Sequence, residues 1–308
     1  MTQAFEGIFN ILATPFDADG AVDTASLRRL VNFQLERGAM GLTILGVLGE
    51  AAKLTLKERH EVMQTVMEAV SGRVPVIVGT SHEQSDSRIH LSQQAIRAGA
   101  SGVMIAPPRM TNVTDDAIIE IYAEIASHIT SEIVVQDFPP VNGITMRPKM
   151  LARLAEAVPT ARTLKLEDPP LMDKITAVKA VSPRWSIFGG LGGMFLLEEL
   201  QRGAAGTMTG FAFTEVLIAV YEAFRTGDSH RAALIFDHYL PLIRYENQPV
   251  VNLTIRKELL YRRGAISHPA LRRSTLAMTP EAHTELTGVL QRVGIADPTL
   301  PLNFDKYS

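Results

Sequence analysis

Short strand-like runs alternate with amphipathic stretches of helical period over residues 8–226. The runs cover 8–14, 41–45, 74–79, 102–106, 133–136, 163–167, 186–188 and 206–209, and each is short enough and apolar enough to read as a strand. The stretches near 23–37, 55–70, 84–98, 115–129, 147–158, 171–181, 193–202 and 213–226 read as helices. Asp23, Thr55, Ser85, Thr114 and Thr214 stand at or near their starts, where a side-chain oxygen can cap free N–H groups. Glycines close several of them, as left-handed helix ends require, and Arg37-Gly-Ala-Met-Gly, Arg97-Ala-Gly-Ala-Ser-Gly and Arg202-Gly-Ala-Ala-Gly mark one such turn three times. Eight strand–helix units predict an α/β fold of the (β/α)8 TIM-barrel type. No Gly-x-Gly-x-x-Gly follows the first run, which argues against a dinucleotide-binding sheet. Beyond residue 228 the strand pattern stops, and 229–244, 249–263 and 280–293 read as three further helices. The predicted organisation is a barrel at 1–228 carrying the site and a helical extension at 229–308.

Composition narrows the class of function. The 308 residues are 46% apolar and 20% charged, enough to bury a full core. A net charge of −3, with no stripe of basic residues, argues against a nucleic-acid partner. The absence of cysteine excludes disulfides, thiolate metal sites and a cysteine nucleophile. Met1-Thr-Gln-Ala-Phe-Glu-Gly lacks the basic and apolar regions of a signal peptide, and no apolar run approaches the roughly 20 residues that span a bilayer. These features lead to the expectation of a cytoplasmic protein that does not engage a membrane.

In a barrel of this kind, chemistry sits on the loops at the C-terminal strand ends. Alternation in the sixth run places Thr163, Lys165 and Glu167 on one face and Leu164 and Leu166 on the other. Lys165 is then a cation inside a closed barrel, where desolvation lowers an amine pKa. A neutral amine can attack a ketone to form a Schiff base, and Glu167 can serve as the acid or base that such chemistry needs. After the second run, Gly46-Val-Leu-Gly-Glu50 offers backbone N–H groups at Leu48 and Gly49 that could hold a carboxylate, while Glu50 reads as structural. His82 follows the third run and is a candidate acid or base, and Arg109 follows the fourth as an anion partner or a solvated residue. Gln136 and Asp137 end the fifth run at the expected rim, ahead of a turn fixed by Pro139. Gly190 lies in Gly189-Gly-Leu-Gly-Gly193, which leaves space but no side chain, and Thr209 at the end of the eighth run could face the pocket. No cluster has metal-ligand spacing, and no Ser-His-Asp set suggests itself.

Taken together, these residues resemble the dihydrodipicolinate synthase / N-acetylneuraminate lyase family of Schiff-base barrels. The likeness rests on Ala13-Thr-Pro-Phe, Gly46-x-x-Gly-Glu50, Pro75-Val-Ile-Val-Gly-Thr, the Pro139 turn, Lys165 and the helical tail. The resemblance implies a lysine imine to the C2 carbonyl of a 2-oxo acid, no metal or other cofactor, and a homotetramer. Members that make or break a C–C bond carry a tyrosine where Gln136 stands and hydroxyl residues at Val47 and Leu48. The dihydrodipicolinate synthases also have an arginine where Val141 falls and aromatic residues around Pro108-Arg109. All are missing. Gln136-Asp137, Lys165-x-Glu167, Thr80-Ser-His82, Ala205-Gly-Thr-Met-Thr-Gly and Leu240-Pro-Leu-Ile-Arg-Tyr-Glu-Asn are similar to the L-2-keto-3-deoxyarabonate dehydratase branch. Acidic residues of that branch are absent from Gly190–Gly193. The expected function is dehydration of a 2-keto-3-deoxy sugar acid, with Lys165 as nucleophile, Glu167 and His82 as acid/base candidates, and Leu48, Gly49, Gln136, Thr209 and Gly190 as substrate contacts. The rivals are a pyruvate-releasing aldolase and a non-catalytic 2-oxo acid-binding paralogue.

Overall fold

The computed structural model describes residues 4–307, and Met1–Gln3, on which part of the signal-peptide reading rests, lie outside them. Among the described residues the strands are β1 Gly7–Ile11, β2 Gly41–Ile44, β3 Val76–Gly79, β4 Gly102–Ile105, β5 Glu132–Asp137, β6 Thr163–Leu166, β7 Ser186–Gly189 and β8 Gly206–Thr209. Each pairs in parallel with its sequence neighbours, and β8 closes on β1. Outside them run α1 Thr24–Glu36, α2 Leu56–Val70, α3 Ser85–Arg97, α4 Asp115–His128, the short α5 Pro139–Asn142, α6 Pro148–Ala157, α7 Leu171–Val181, α8 Leu196–Gln201 and α9 Thr214–Arg225. The tail adds α10 Ser229–Glu246, α11 Asn252–Arg262 and α12 Pro280–Arg292. The fold is the expected (β/α)8 barrel with a helical appendage. Among the described residues, no helix is long and apolar enough to cross a membrane.

Period-two alternation divides the core into two layers. Phe9, Ile11, Ile77, Met104, Val134, Phe188 and Met208 point inward and fill the barrel, with the Phe9 and Phe188 rings meeting edge to face at 5.4 Å. Their neighbours, Ile8, Leu42, Val103, Ile133, Leu164 and Ile187, point outward under the helices. The filled interior forms a dry floor, so only the upper ends of the strands can hold a ligand.

Local chemistry explains where the boundaries moved. β1 stops at Ile11, short of the predicted 14, because Thr14 has turned to donate its hydroxyl to the Gly49 carbonyl at 2.7 Å. α8 begins at Leu196 because Gly192 and Gly193 hold φ of 71° and 78°, outside helical space. Asp23, Thr55 and Thr114 cap their helices as expected, Thr55 within a capping box with Glu58. Ser85 and Thr214 do not cap. Gln84 precedes α3, and the Ser85 hydroxyl donates to Glu124. Thr214 is the first residue of α9, and its hydroxyl accepts from Asn10 and donates to Gln34, both at 2.7 Å. That contact ties β1, α1 and α9 together behind the sheet.

Candidate active site

Lys165 occupies the third position of β6, with Leu164 and Leu166 packed outward, so its side chain enters the barrel mouth and is buried. Its Nζ donates to Glu167 Oε2 at 2.7 Å. Gln136, its register partner on β5, donates from Nε2 to the same oxygen at 3.2 Å. The other Glu167 oxygen accepts the Leu191 N–H at 3.5 Å. One carboxylate thus gathers an ammonium, an amide and a loop N–H, which fixes where it can act.

These groups line a cavity of about 130 Å³. Its walls are Ile11, Met104 and Met208 from the strands, Val47 and Leu48 after β2, and Thr209 at the end of β8. Leu191 and Gly192 close one side, and Asn247, Asn252 and Arg256 reach in from the tail. Among the described residues lining it, Lys165, Glu167 and Arg256 alone carry charge. A small chamber, walled in part by apolar side chains, with one amine and one adjacent carboxylate suits covalent capture of a compact carbonyl compound.

The dihydrodipicolinate synthetase family model matches residues 4–293. The chain belongs to the dihydrodipicolinate synthetase family. It is 33% identical over 300 residues to an L-2-keto-3-deoxyarabonate dehydratase of Azospirillum brasilense, covering 95% of this chain and 96% of that one. A probable 2-dehydro-3-deoxy-D-pentonate aldolase of Escherichia coli K12 is 29% identical over 260 residues, 82% of this chain and 85% of the relative. A dihydrodipicolinate synthase from Rhodopseudomonas palustris superposes with a TM-score of 0.88 at 36% identity, covering 94% of this chain and 97% of that one. A dehydratase, an aldolase and a synthase therefore share this scaffold, and all three are lyases.

Within this dihydrodipicolinate synthetase family barrel, several residues singled out from sequence lie together. Lys165, Glu167, Gln136, Thr209 and Leu48 share the cavity. Gly49 is beneath it: its N–H donates to Gly46 O at 3.1 Å and its carbonyl accepts from Thr14, so its N–H is not free for a carboxylate. Gly190 does not line the cavity either. A β-carbon there would collide with the Glu167 carboxyl, so its bareness makes room for Glu167 rather than for ligand. Gly192 likewise yields to Asn247, whose Nδ2 donates to Leu191 O at 2.8 Å. The loop left open by four glycines is filled by protein side chains.

His82 and Asp137 lie elsewhere. His82 is exposed on the loop after β3, its Nδ1 accepts from the Gln84 N–H at 3.1 Å, and it does not line the cavity. Asp137 follows Gln136 and so faces the opposite way, where it pairs with Lys174 at 2.5 Å. Burial pushes its pKa up to about 6, with Lys174 pulling down against it. Arg109 is exposed, its Nε donating to Val141 O at 3.4 Å. Glu50 is structural, as expected: its carboxylate accepts from Lys257 at 2.7 Å and Lys53 at 2.9 Å, clamping the β2 loop to α11.

Two features escaped the sequence reading. Asn247, Asn252 and Arg256 come from helices outside the barrel, and no periodicity in the sequence points them at strand ends. Glu199 sits on α8 between Leu196 and Leu200 on the buried face, and a β-carbon on Gly189 would strike its carboxyl. Burial pushes the Glu199 pKa up to about 8, and the Glu167 and Glu198 carboxylates push the same way. A carboxyl on an apolar helix stripe was the available signal.

Proposed function

We propose that this protein is a cytoplasmic Schiff-base lyase that dehydrates a 2-keto-3-deoxy sugar acid. The observation that carries the reading is the 2.7 Å contact between Lys165 Nζ and Glu167 Oε2 inside the cavity, with a non-ionisable Gln136 as their neighbour. The named dehydratase relative at 33% identity supports the choice of reaction.

In this mechanism Glu167 relieves Lys165 of a proton, and Nζ adds to the C2 carbonyl. Glu167 returns that proton to the carbinolamine hydroxyl, which leaves as water and gives the imine, whose positive nitrogen makes the C3 hydrogens acidic. Glu167 removes one, and the electron pair left at C3 flows into the imine as an enamine. Its return expels the C4 hydroxyl, protonated by the carboxyl that Glu167 has become. A C3–C4 double bond has formed, and hydrolysis of the imine takes up one of the two waters released and restores Lys165, so the net loss is one water. The substrate carboxylate rests against the Leu48 end of the Gly46–Gly49 turn, with Thr209 beside it.

Retro-aldol cleavage is the second reading, favoured by the aldolase relative at 29% identity. It needs a base on the C4 hydroxyl, and Gln136 cannot act as one. Incubation with a panel of 2-keto-3-deoxy acids, with products resolved by mass, separates the two. Loss of one water supports dehydration; release of pyruvate supports cleavage; a protein inert to the panel is the binding paralogue. Assembly into a homotetramer belongs to the same proposal, and light scattering of the purified protein tests it.

A further inference from the structure

Arg256 is the second cation of the cavity, and the mechanism does not use it. It stands on α11, is 1% exposed, and lines the cavity together with Thr209 and Leu48. Its Nε donates to Glu246 Oε1 at 2.6 Å, and the other Glu246 oxygen accepts the Ala212 N–H at 3.0 Å. The fully buried Glu246 thus holds both the guanidinium and the segment that follows β8. Arg256 Nη1 has no hydrogen-bond partner among the described residues. It lies over Gly210, where a β-carbon would come within 2.6 Å of Nη1 and 2.8 Å of Ile11 O. The absence of a side chain at 210 is what admits the guanidinium between the ends of β8 and β1.

Charge bookkeeping gives the vacant N–H a purpose. Lys165 is balanced by Glu167 and Arg256 by Glu246, so the cavity is neutral before a ligand enters. The carboxylate of a 2-oxo acid would bring a negative charge among Ile11, Val47, Met104 and Met208, which cannot solvate it. A buried guanidinium with a spare N–H is the strongest donor available to it. β6, which bears Lys165, is separated from β8 by β7 alone, so an imine carbon and its carboxylate can be held from two walls of the same cavity.

We infer that Arg256 is a ligand-binding residue, contributed by the C-terminal helices, whose Nη1 donates to the carboxylate of the bound 2-oxo acid. This rests on reading the cavity as a 2-oxo acid site, but not on imine formation. Calorimetric titration with oxamate, a pyruvate isostere that forms no imine, therefore tests it directly. Oxamide, which lacks the charge, is the control.

Wild-type protein should bind oxamate and discriminate against oxamide. Arg256→Lys keeps a cation beside Glu246 but loses the fork; it should weaken oxamate about 10- to 100-fold, as loss of a charge-assisted hydrogen bond does, and should narrow the preference over oxamide. If that variant does not fold, as judged by circular dichroism and melting, Arg256→Met with Glu246→Gln carries the same comparison without a stranded charge. Oxamate affinity within about threefold of wild type in a folded variant overturns the assignment, since that is less than one such bond. So does weakening confined to hydroxylated 2-keto-3-deoxy acids, which would place Arg256 at the substrate tail. Failure of wild type to bind oxamate or pyruvate overturns it too. If the oxamate results hold while borohydride traps nothing at Lys165, the Schiff-base reading falls and the Arg256 assignment stands.

Discussion

Glu167 and Glu199 flank a single stretch of backbone, the Gly189–Gly190 end of β7, with one carboxyl against each glycine. Burial, and after it repulsion from the Glu167 carboxylate, pushes the Glu199 pKa up to about 8. Glu167, held by Lys165 and Gln136, carries the charge. The pair divides into one neutral acid behind the strand end and one carboxylate in the cavity.

Gly190→Ala should disable Glu167 without touching Lys165. The new methyl collides with the Glu167 carboxyl and must push it off the amine. Turnover should fall roughly 10²–10⁴-fold, the range for lost acid–base catalysis, while borohydride still fixes a 2-oxo acid to Lys165. Normal turnover in the alanine variant would mean that Glu167 need not sit where it does.

Lys165→Ala should abolish trapping and reduce activity by orders of magnitude in a folded protein, because the covalent step has no substitute. Lys165→Arg should do the same, since a guanidinium stays charged. Peptide mapping after borohydride reduction is the check. Label on any other lysine ends the mechanism.

Glu199 makes stability depend on pH. Its carboxyl titrates near 8 in the folded protein, against an ordinary value of 4.5. Below the ordinary range both states are protonated and the folded form bears no penalty. As pH rises, the unfolded chain sheds this proton first, so stability drains away until the folded group also ionises. The loss attributable to this group is on the order of a few kcal/mol. Glu199→Gln removes the titration and should flatten the melting temperature between about pH 5 and about pH 8. Parallel curves for the two proteins would count against a neutral Glu199.

Gln136→Tyr tests the reaction itself. Tyrosine supplies an ionisable hydroxyl but removes the amide that donates to Glu167 at 3.2 Å. A dehydratase should become slower and gain nothing. Wild-type protein should release little or no pyruvate from any 2-keto-3-deoxy acid, as measured by a coupled pyruvate assay. Pyruvate as its main product would promote the aldolase reading.

Alternation carried most of what could be read in advance. It oriented Lys165 because a strand has only two faces, and the three Arg-Gly-Ala-type turns marked helix ends that hold left-handed glycines at 38, 99 and 203. The same rule, applied to Gln136, would have turned Asp137 outward toward Lys174; the expectation of two groups at the rim ignored it. Gly190 looks like a substrate contact from sequence alone because a glycine's neighbour in space is invisible there. Arg256 was illegible for a stronger reason: its contact with Gly210 joins residues 46 positions apart through the packing of a helix outside the repeating unit.

Under the proposed function, the entry of Asn247, Asn252 and Arg256 into the cavity means that part of substrate recognition is encoded apart from the strands that bear Lys165 and Gln136. On that reading, substitutions at Asn247 and Asn252 should change substrate preference while Lys165 and Glu167 stay as they are. A library aimed at new substrates belongs there, and a truncation that spares every barrel strand would still strip the pocket of one wall.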